Sequence, residues 1–336
     1  MSLHPLVSIV TPVYNGEEFL AECIESVLAQ TYTNWDFTIV NNCSTDRSLE
    51  IARAYARKHP RIKVITNEKF VEAIPNHNIA FRQTSPQSKY CKMLLADDEL
   101  FPECLARMVE VAEANPTVGI VGAYGQGGNE VLWAGLAHTA TVLPGREICR
   151  ATLLGGPYVF GTPSSTLIRS DIVLKSNAFY DEPNLHADYQ VCFDVLQSSD
   201  FAFVHQVLTY TRLRNESLTS FSQSFNTYLL GILTVLTKYG PLLLTEKEYK
   251  QRLEFRLNQY YRFLAKSKLR LRERKFWEYH RSRMETIGYP VDGARLAKAL
   301  VLEILDGLVH PKRALEGVLD WWPRALSRTR ERANPR

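Results

Sequence analysis

The chain has 336 residues, 45% hydrophobic and 23% charged, enough to bury one α/β domain of ordinary size plus an appendage. No apolar run approaches the roughly 18 residues that suggest a membrane span. The N-terminus enters a strand pattern, LVSIVTPVY, without a charged leader, so a cytoplasmic protein is expected. The net charge of +4 hides an asymmetry: residues 1–220 carry 17 Lys+Arg against 24 Asp+Glu, and residues 221–336 carry 23 against 12. A basic back half can face nucleic acid, anionic lipid or the acidic front half. Nothing in the front half resembles a nucleic-acid-binding module, and no nucleic acid partner is expected. The six cysteines all fall in the first 192 residues without metal-ligand spacing, and they read as reduced packing residues.

In chain order, Val7 to Val10 suits a central parallel strand and runs into Thr11-Pro12-Val13-Tyr14-Asn15-Gly16, read as a turn-rich loop. A helix through Phe19, Leu20, Ile24, Val27 and Leu28 follows at 3.6-residue spacing. Phe37 to Val40 forms a second strand that ends in Asn41-Asn42-Cys43-Ser44-Thr45-Asp46, and a second helix passes Ile51, Ala54 and Tyr55. Ile62 to Ile65 is a third strand, followed by a helix around Asn76 to Gln83. The fourth strand, Cys91 to Leu95, stops on Asp97 and Asp98, with Pro102 opening the next helix. Strands alternating with helices predict a doubly wound, mostly parallel sheet.

Right-handed crossovers bring the ends of such strands to one edge of the sheet, where open α/β folds bind ligands. Three clusters meet there: TPVYN, NNCSTD and LADD. A ring to stack, amides for a base and acids for metal-bridged phosphates suit a nucleotide. Adjacent carboxylates repel unless a divalent cation neutralises them, and hard oxygen ligands suit Mg²⁺ or Mn²⁺, so Asp97 and Asp98 are the candidate metal ligands.

VSIVTPVYNGEEFLAECIESVLAQTY, then IVNNCSTDRS, then MLLADDELFP, resembles the family 2 glycosyltransferases with their GT-A fold, over about residues 6–220. The resemblance implies that Thr11, Pro12 and Tyr14 hold the nucleobase and that Asp97 carries the metal bridging the donor diphosphate. Two of these three motifs depart from the family pattern. Asn41-Asn42-Cys43-Ser44 replaces Asp-Asp-Gly-Ser, leaving Asn42 to accept from a uracil or thymine N3–H or to donate through its amide, so the base stays open. Leu95 replaces the first acid of Asp-x-Asp. Asn76-His77-Asn78 resembles the loop beside the nucleotide and equally suits a helix start.

Further along, Val118 to Ala123 is a strand, and Tyr124-Gly125-Gln126-Gly127-Gly128 reads as a hairpin or acceptor-side loop. Residues 155–161 lead into Thr162-Pro163-Ser164-Ser165 and another strand, with small residues that leave room for a sugar. His186-Ala187-Asp188-Tyr189-Gln190 resembles the family's Glu-Asp motif at a helix start, with Ala187 in place of the Glu and Asp188 keeping the Asp. It implies that Asp188 is the base that deprotonates the acceptor hydroxyl in an inverting transfer. Arg212 to Thr219 resembles the closing Arg-x-His-x-x-Ser segment, with Arg212 and Arg214 placed to grip diphosphate oxygens.

Beyond Phe221 the pattern is helical: Tyr228 to Leu236, Tyr249 to Tyr261, a basic helix from Arg262 to Arg283, and Leu296 to Val309. The tail carries Trp321-Trp322-Pro323 followed by arginines. Basic helices with aromatic edges suit an interfacial membrane helix or a bundle with a solvated face.

The expectation is therefore a GT-A domain over 1–220 and a basic, membrane-peripheral helical extension over 221–336. The reaction would be inverting transfer from a nucleoside-diphosphate sugar, with a UDP-sugar leading, to a glycan or lipid-linked acceptor in surface polysaccharide assembly. Mn²⁺ or Mg²⁺ would assist, at the inner face of the cell membrane. Two rivals stand beside it. One is a catalytically silent scaffold or nucleotide-sugar-binding protein, suggested by Leu95 and Ala187. The other is a nucleotidyltransferase, for which TPVYNGEE lacks a basic phosphate loop.

Overall fold

A computed structural model describes residues 4–212 and 225–310. Along the chain run β1 (Val7–Val13), α1 (Leu20–Leu28), β2 (Trp35–Asn41), α2 (Ser48–Lys58), β3 (Ile62–Thr66), α3 (Ala73–Phe81), β4 (Tyr90–Met93), β5 (Glu99–Leu100) and α4 (Cys104–Ala114). There follow β6 (Val118–Gly127), β7 (Glu130–Leu132), β8 (Val142–Leu143), α5 (Gly145–Leu153), β9 (Thr166–Arg169), α6 (Ser170–Val173), α7 (Ala187–Leu196), β10 (Asp200–Tyr210) and α8 (Tyr228–Leu243). One sheet takes the order β3-β2-β1-β4-β9-β6-β10-β5, with β7 on β6 and β8 on β10. It is parallel through β3-β2-β1-β4 and between β6 and β10, and antiparallel where β9 inserts between β4 and β6.

The expected α/β class, a central sheet flanked by helices, is present. All seven residues of β1 are buried, as a central strand with helices on both faces requires. Leu20, Cys23, Ile24 and Val27 of α1 bury one face against it. Thr11-Pro12-Val13 proves to be strand rather than loop, paired with Ile39-Val40-Asn41. The proline is tolerated because pairing to β4 on the other side ends at Val10, so no ladder bond needs its missing N–H.

Packing divides the chain into two compact units, Met1–Tyr249 and Lys250–Arg336. Helix α8 thus belongs to the first unit rather than to an extension beginning at 221. Its Leu230, Leu233, Leu236 and Tyr239 are buried, and the Tyr239 hydroxyl donates to Asp194 of α7 (2.5 Å). Gly231 admits the His186 ring, which a Cβ there would meet at 2.6 Å.

The last helices are α9 (Glu246–Leu269), α10 (Arg274–Thr286) and α11 (Gly293–Val309). The helix expected over Arg262–Arg283 is two helices with a turn at 270–273, where Leu271 takes a left-handed φ of 49°. Folding back lets Phe263 pack on Phe276 (5.8 Å) and on His280 (5.3 Å), burial that one straight helix would forgo. Among the described residues no helix is long and apolar enough to cross a membrane. Arg214 and the Trp321-Trp322 tail lie outside the described residues.

His77 on α3 supplies a pH test of the fold. Its Nδ1 is buried without a hydrogen-bond partner, and burial pushes its pKa down from 6.5 to about 4. The unfolded chain therefore binds the proton more tightly, so stability is complete above pH 6.5 and falls as pH drops towards 4. Urea unfolding at pH 7 and pH 4.5 should differ by about 2–3 kcal/mol from this group. His77→Gln should remove that part of the difference, and an identical pH response in the variant would refute the assignment.

Candidate active site

β1 and β2 finish side by side, and the loops leaving them are stitched together. Asn15 and Cys43 both adopt left-handed backbone (φ 49° and 58°), which asparagine tolerates better than most residues. The Asn15 N–H donates to Ser44 Oγ (3.0 Å), and its Oδ1 accepts from the Thr45 N–H (2.8 Å). The Gly16 N–H reaches Ser48 Oγ (2.8 Å), and the Glu17 N–H reaches Asp46 (2.9 Å). The two loops form one ledge. Tyr14 projects from it, 49% exposed, against Phe70, also 49% exposed, with centroids 4.8 Å apart. Accessible ring faces at a sheet edge can stack on a planar base.

Asn42 Oδ1 accepts from Asn67 Nδ2 (2.9 Å) and from the Val71 N–H (3.1 Å), while its Nδ2 donates to Val71 O (2.7 Å). This amide fastens the loop that carries Phe70. Asn67 Nδ2 also donates to Asn76 Oδ1 (2.9 Å). Asn41 differs. Its Oδ1 accepts from the Ser44 N–H (3.3 Å), but its Nδ2 is buried with no hydrogen-bond partner, an uncompensated donor that a ligand carbonyl would satisfy.

The acidic turn after β4 is held from three sides. Thr11 Oγ1 donates to Leu94 O (2.7 Å), the Leu95 N–H donates to Ser164 Oγ (3.0 Å), and the Asp98 N–H closes the turn on Leu95 O (3.0 Å). Lys92 is wholly buried, with Nζ donating to Ser164 O (2.6 Å), and burial lowers its pKa. Arg212 Nε donates to the Asp97 carbonyl (2.9 Å), and its Nη2 pairs with Glu99 (2.7 Å) and with Glu22. The same guanidinium lies over the Phe19 ring (4.3 Å). The Asp97 side chain is half-buried. Asp98 is buried, its Oδ1 accepting from the Arg212 N–H (3.3 Å) and its Oδ2 without a partner. Burial first, and the Asp97 charge second, push its pKa up to about 7.

Asp188 stands in the first turn of α7, where the helix dipole favours an acid. Burial nonetheless raises its pKa, with the His186 ring opposing. The phenols of Tyr158 and Tyr180 are pushed well up, by burial first and by the Asp188 charge second. Asn78 of α3 grips the Tyr180 backbone: Oδ1 accepts from the Tyr180 N–H (2.8 Å) and Nδ2 donates to Tyr180 O (2.9 Å).

Trp133 links the acidic turn's surroundings to those of Asp188. Its ring meets Tyr158 edge-on (5.7 Å), and the Tyr158 hydroxyl donates to Gly161 O (2.8 Å). A Cβ on Gly125 would lie 2.8 Å from Trp133 Nε1 and 3.2 Å from Thr209 Oγ1, and one on Gly161 would lie 3.3 Å from the same Nε1. Trp133 Nε1, Thr209 Oγ1 and Thr211 Oγ1 are buried without hydrogen-bond partners. Trp133 also takes a left-handed φ of 65°, a strained conformation for a bulky residue.

The family model described as Glycosyl transferase family 2 matches residues 8–175, half of the chain. The chain belongs to glycosyl transferase family 2. The putative teichuronic acid biosynthesis glycosyltransferase TuaG of Bacillus subtilis is 33% identical over 106 residues, 32% of this chain and 41% of TuaG. S. aureus TarS 1–349, solved in complex with UDP-GlcNAc, matches with a TM-score of 0.62 at 18% identity, over 92% of this chain and 87% of that one. Mannosyltransferase PcManGT from Pyrobaculum calidifontis, solved with GDP-Man and Mn²⁺, matches with a TM-score of 0.55 at 14% identity, over 94% and 84%. At such identities the likeness is one of fold, here GT-A. The chain spans less than half the length of several curated relatives that it matches.

Within this family 2 chain the expected residues sort into three groups. Tyr14 is exposed, and Asp97 and Asp188 are half-buried. Thr11, Pro12, Asn42, Asn76, Asn78 and Asp98 are buried. The expectation that Asn42 takes a base N–H is corrected, because its oxygen already accepts two bonds; Asn78 likewise serves Tyr180 rather than a nucleotide. Arg212 pins the Asp97 backbone to two glutamates instead of presenting a free guanidinium to diphosphate. Asn41, Phe70, Trp133 and Thr209 were not singled out from the sequence, because nothing in its pattern shows which polar atoms the fold leaves without a partner. The family 2 match ends before Asp188.

Among the described residues no group of three or more His, Cys, Asp or Glu side chains could hold a metal ion. Asp97 alone, on a turn fixed by Arg212, fits Mg²⁺ or Mn²⁺ held jointly by one carboxylate and a substrate diphosphate.

Proposed function

We propose that the protein is an inverting glycosyltransferase that moves a sugar from a nucleoside-diphosphate donor to a hydroxyl of a glycan or lipid-linked glycan, in surface polysaccharide assembly at the cytoplasmic membrane face. The carrying observation is Asp188. It is an acid in the first turn of α7 whose proton affinity is raised by burial. TuaG's putative role in teichuronic acid biosynthesis and the UDP-GlcNAc bound in TarS support the acceptor and donor classes.

The base would lie on Tyr14 and Phe70, with Asn41 Nδ2 donating to a ring carbonyl. Asp97 would hold a divalent cation, whose chemistry is to neutralise the departing diphosphate. Asp188 removes the proton from the acceptor hydroxyl as that oxygen attacks the anomeric carbon. The bond from that carbon to the diphosphate oxygen breaks, and the nucleoside diphosphate leaves with the electron pair. A base with raised pKa is better matched to this transfer near neutral pH than an ordinary carboxylate.

The test is turnover and slow hydrolysis of a sugar-nucleotide panel that includes UDP-GlcNAc and GDP-Man, with Mn²⁺. Activity lost in both Asp97→Ala and Asp188→Ala supports the enzyme. Binding without turnover across the panel favours the scaffold, and pyrophosphate release from a sugar phosphate plus a nucleoside triphosphate favours the nucleotidyltransferase.

Trp133 and Thr209 would face hydroxyls of the donor sugar. Trp133→Phe should weaken the best-bound sugar nucleotide about tenfold by calorimetry while leaving its bare nucleoside diphosphate unchanged, the worth of one hydrogen bond. Equal losses for both ligands would place Trp133 away from the sugar.

A further inference from the structure

We propose that the C-terminal unit docks on an anionic lipid surface through the outward face of α11 and the basic turn between α9 and α10. An amphipathic helix ordinarily turns its apolar stripe to the core, and α11 does the reverse. Its buried residues are Ala299 and Glu303. The Glu303 carboxylate is held there by Arg262 Nε (2.8 Å) and Lys266 Nζ (3.6 Å) of α9. Val301, Leu302, Ile304, Leu305, Leu308 and Val309 all face outward, within an arc of about 160° at 3.6 residues per turn. Leu308 and Val309 are 71% and 72% exposed.

Two ion pairs fix the direction of the helix. Arg295 meets Glu254 and Arg262 meets Glu303, each across 41 residues, so α9 and α11 run parallel and their C-terminal ends lie together. At that end the chain turns through Leu269 and Leu271, 51% and 88% exposed. Leu271 is in the left-handed conformation, a strain without burial to offset it. Six of the ten residues from 266 to 275 are Lys or Arg and one is acidic. Contiguous apolar side chains beside a cluster of cations match an interface of acyl chains and anionic headgroups.

This deepens the reading of a lipid-linked acceptor, and its test involves no turnover. The full chain would be floated with vesicles of phosphatidylcholine alone and of phosphatidylcholine mixed with phosphatidylglycerol. Binding is expected only to the second, falling at high salt. Leu305→Glu/Leu308→Glu and, separately, Lys268→Glu/Arg270→Glu should each weaken it at least about tenfold while circular dichroism and melting stay unchanged. Binding that survives both pairs of substitutions, or that is as strong on neutral vesicles, overturns the proposal. So does an absence of vesicle binding together with a dimer, seen by light scattering, that the leucine variant splits.

Discussion

Asp188→Asn is expected to lower kcat by about 10²- to 10⁴-fold, the range lost when a positioned general base is removed, while donor affinity stays within about twofold. The amide keeps the size and most of the polarity of the carboxylate but cannot take the acceptor proton. In the wild type the active form is the ionised one. Because burial raises the Asp188 pKa, the rate should climb with pH through a value above the ordinary carboxylate range and then level off. A profile already flat throughout mildly acid pH, or a variant that keeps most of its turnover, would remove Asp188 from the chemistry. Melting curves of both forms separate this from loss of the fold.

The second large effect belongs to Asp97. Chelation with EDTA should abolish transfer, and added Mn²⁺ or Mg²⁺ should restore it. In Asp97→Ala, kcat/KM should fall about 10³-fold or more, because a bound ion supplies several kcal/mol of charge stabilisation to the departing diphosphate. The diagnostic readout is affinity. Mn²⁺ should tighten nucleoside-diphosphate binding to the wild type and have no such effect on the variant. Full turnover of the wild type in metal-free buffer would defeat the assignment. Asp98→Asn is the contrast: that side chain is buried and bonded to the Arg212 N–H, so the metal response should survive its substitution.

The fold was legible wherever one strand end or one helix face decided it. Alternation of β-branched runs with helical spacing predicts the β1-β2-β3-β4 half, and clusters of small polar residues mark where those strands stop. Acids at a sheet edge also draw notice, although helix starts favour acids on their own account, and it is the neighbouring motifs that single out Asp97. The allocation of amides was not legible. Asn41 and Asn42 are adjacent and chemically identical, yet one bonds Val71 and Asn67 while the other keeps an unsatisfied Nδ2. Their difference comes from a loop 25 residues away. Trp133 drew no expectation from the sequence, because its neighbours Gly125, Gly161 and Thr209 come from three separate stretches. In the C-terminal unit, composition shows an amphipathic α11 but not which face points in. Two cations on α9 that claim Glu303 settle it.

The reversed strand β9 has a consequence for how such a protein can diversify. Because it runs against its neighbours, its beginning, not its end, reaches the edge where β1, β2 and β4 finish, so the chain delivers Gly161 to Ser165 there on its way in. The surface proposed to hold the base comes from residues 14–70, and the one proposed to hold the sugar comes from 125–165 and 209. Ser164, bonded to Leu95 and Lys92, is the seam between them. On that proposal, substitutions in the second stretch should change which sugar is accepted and leave the affinity for the bare nucleoside diphosphate unaltered.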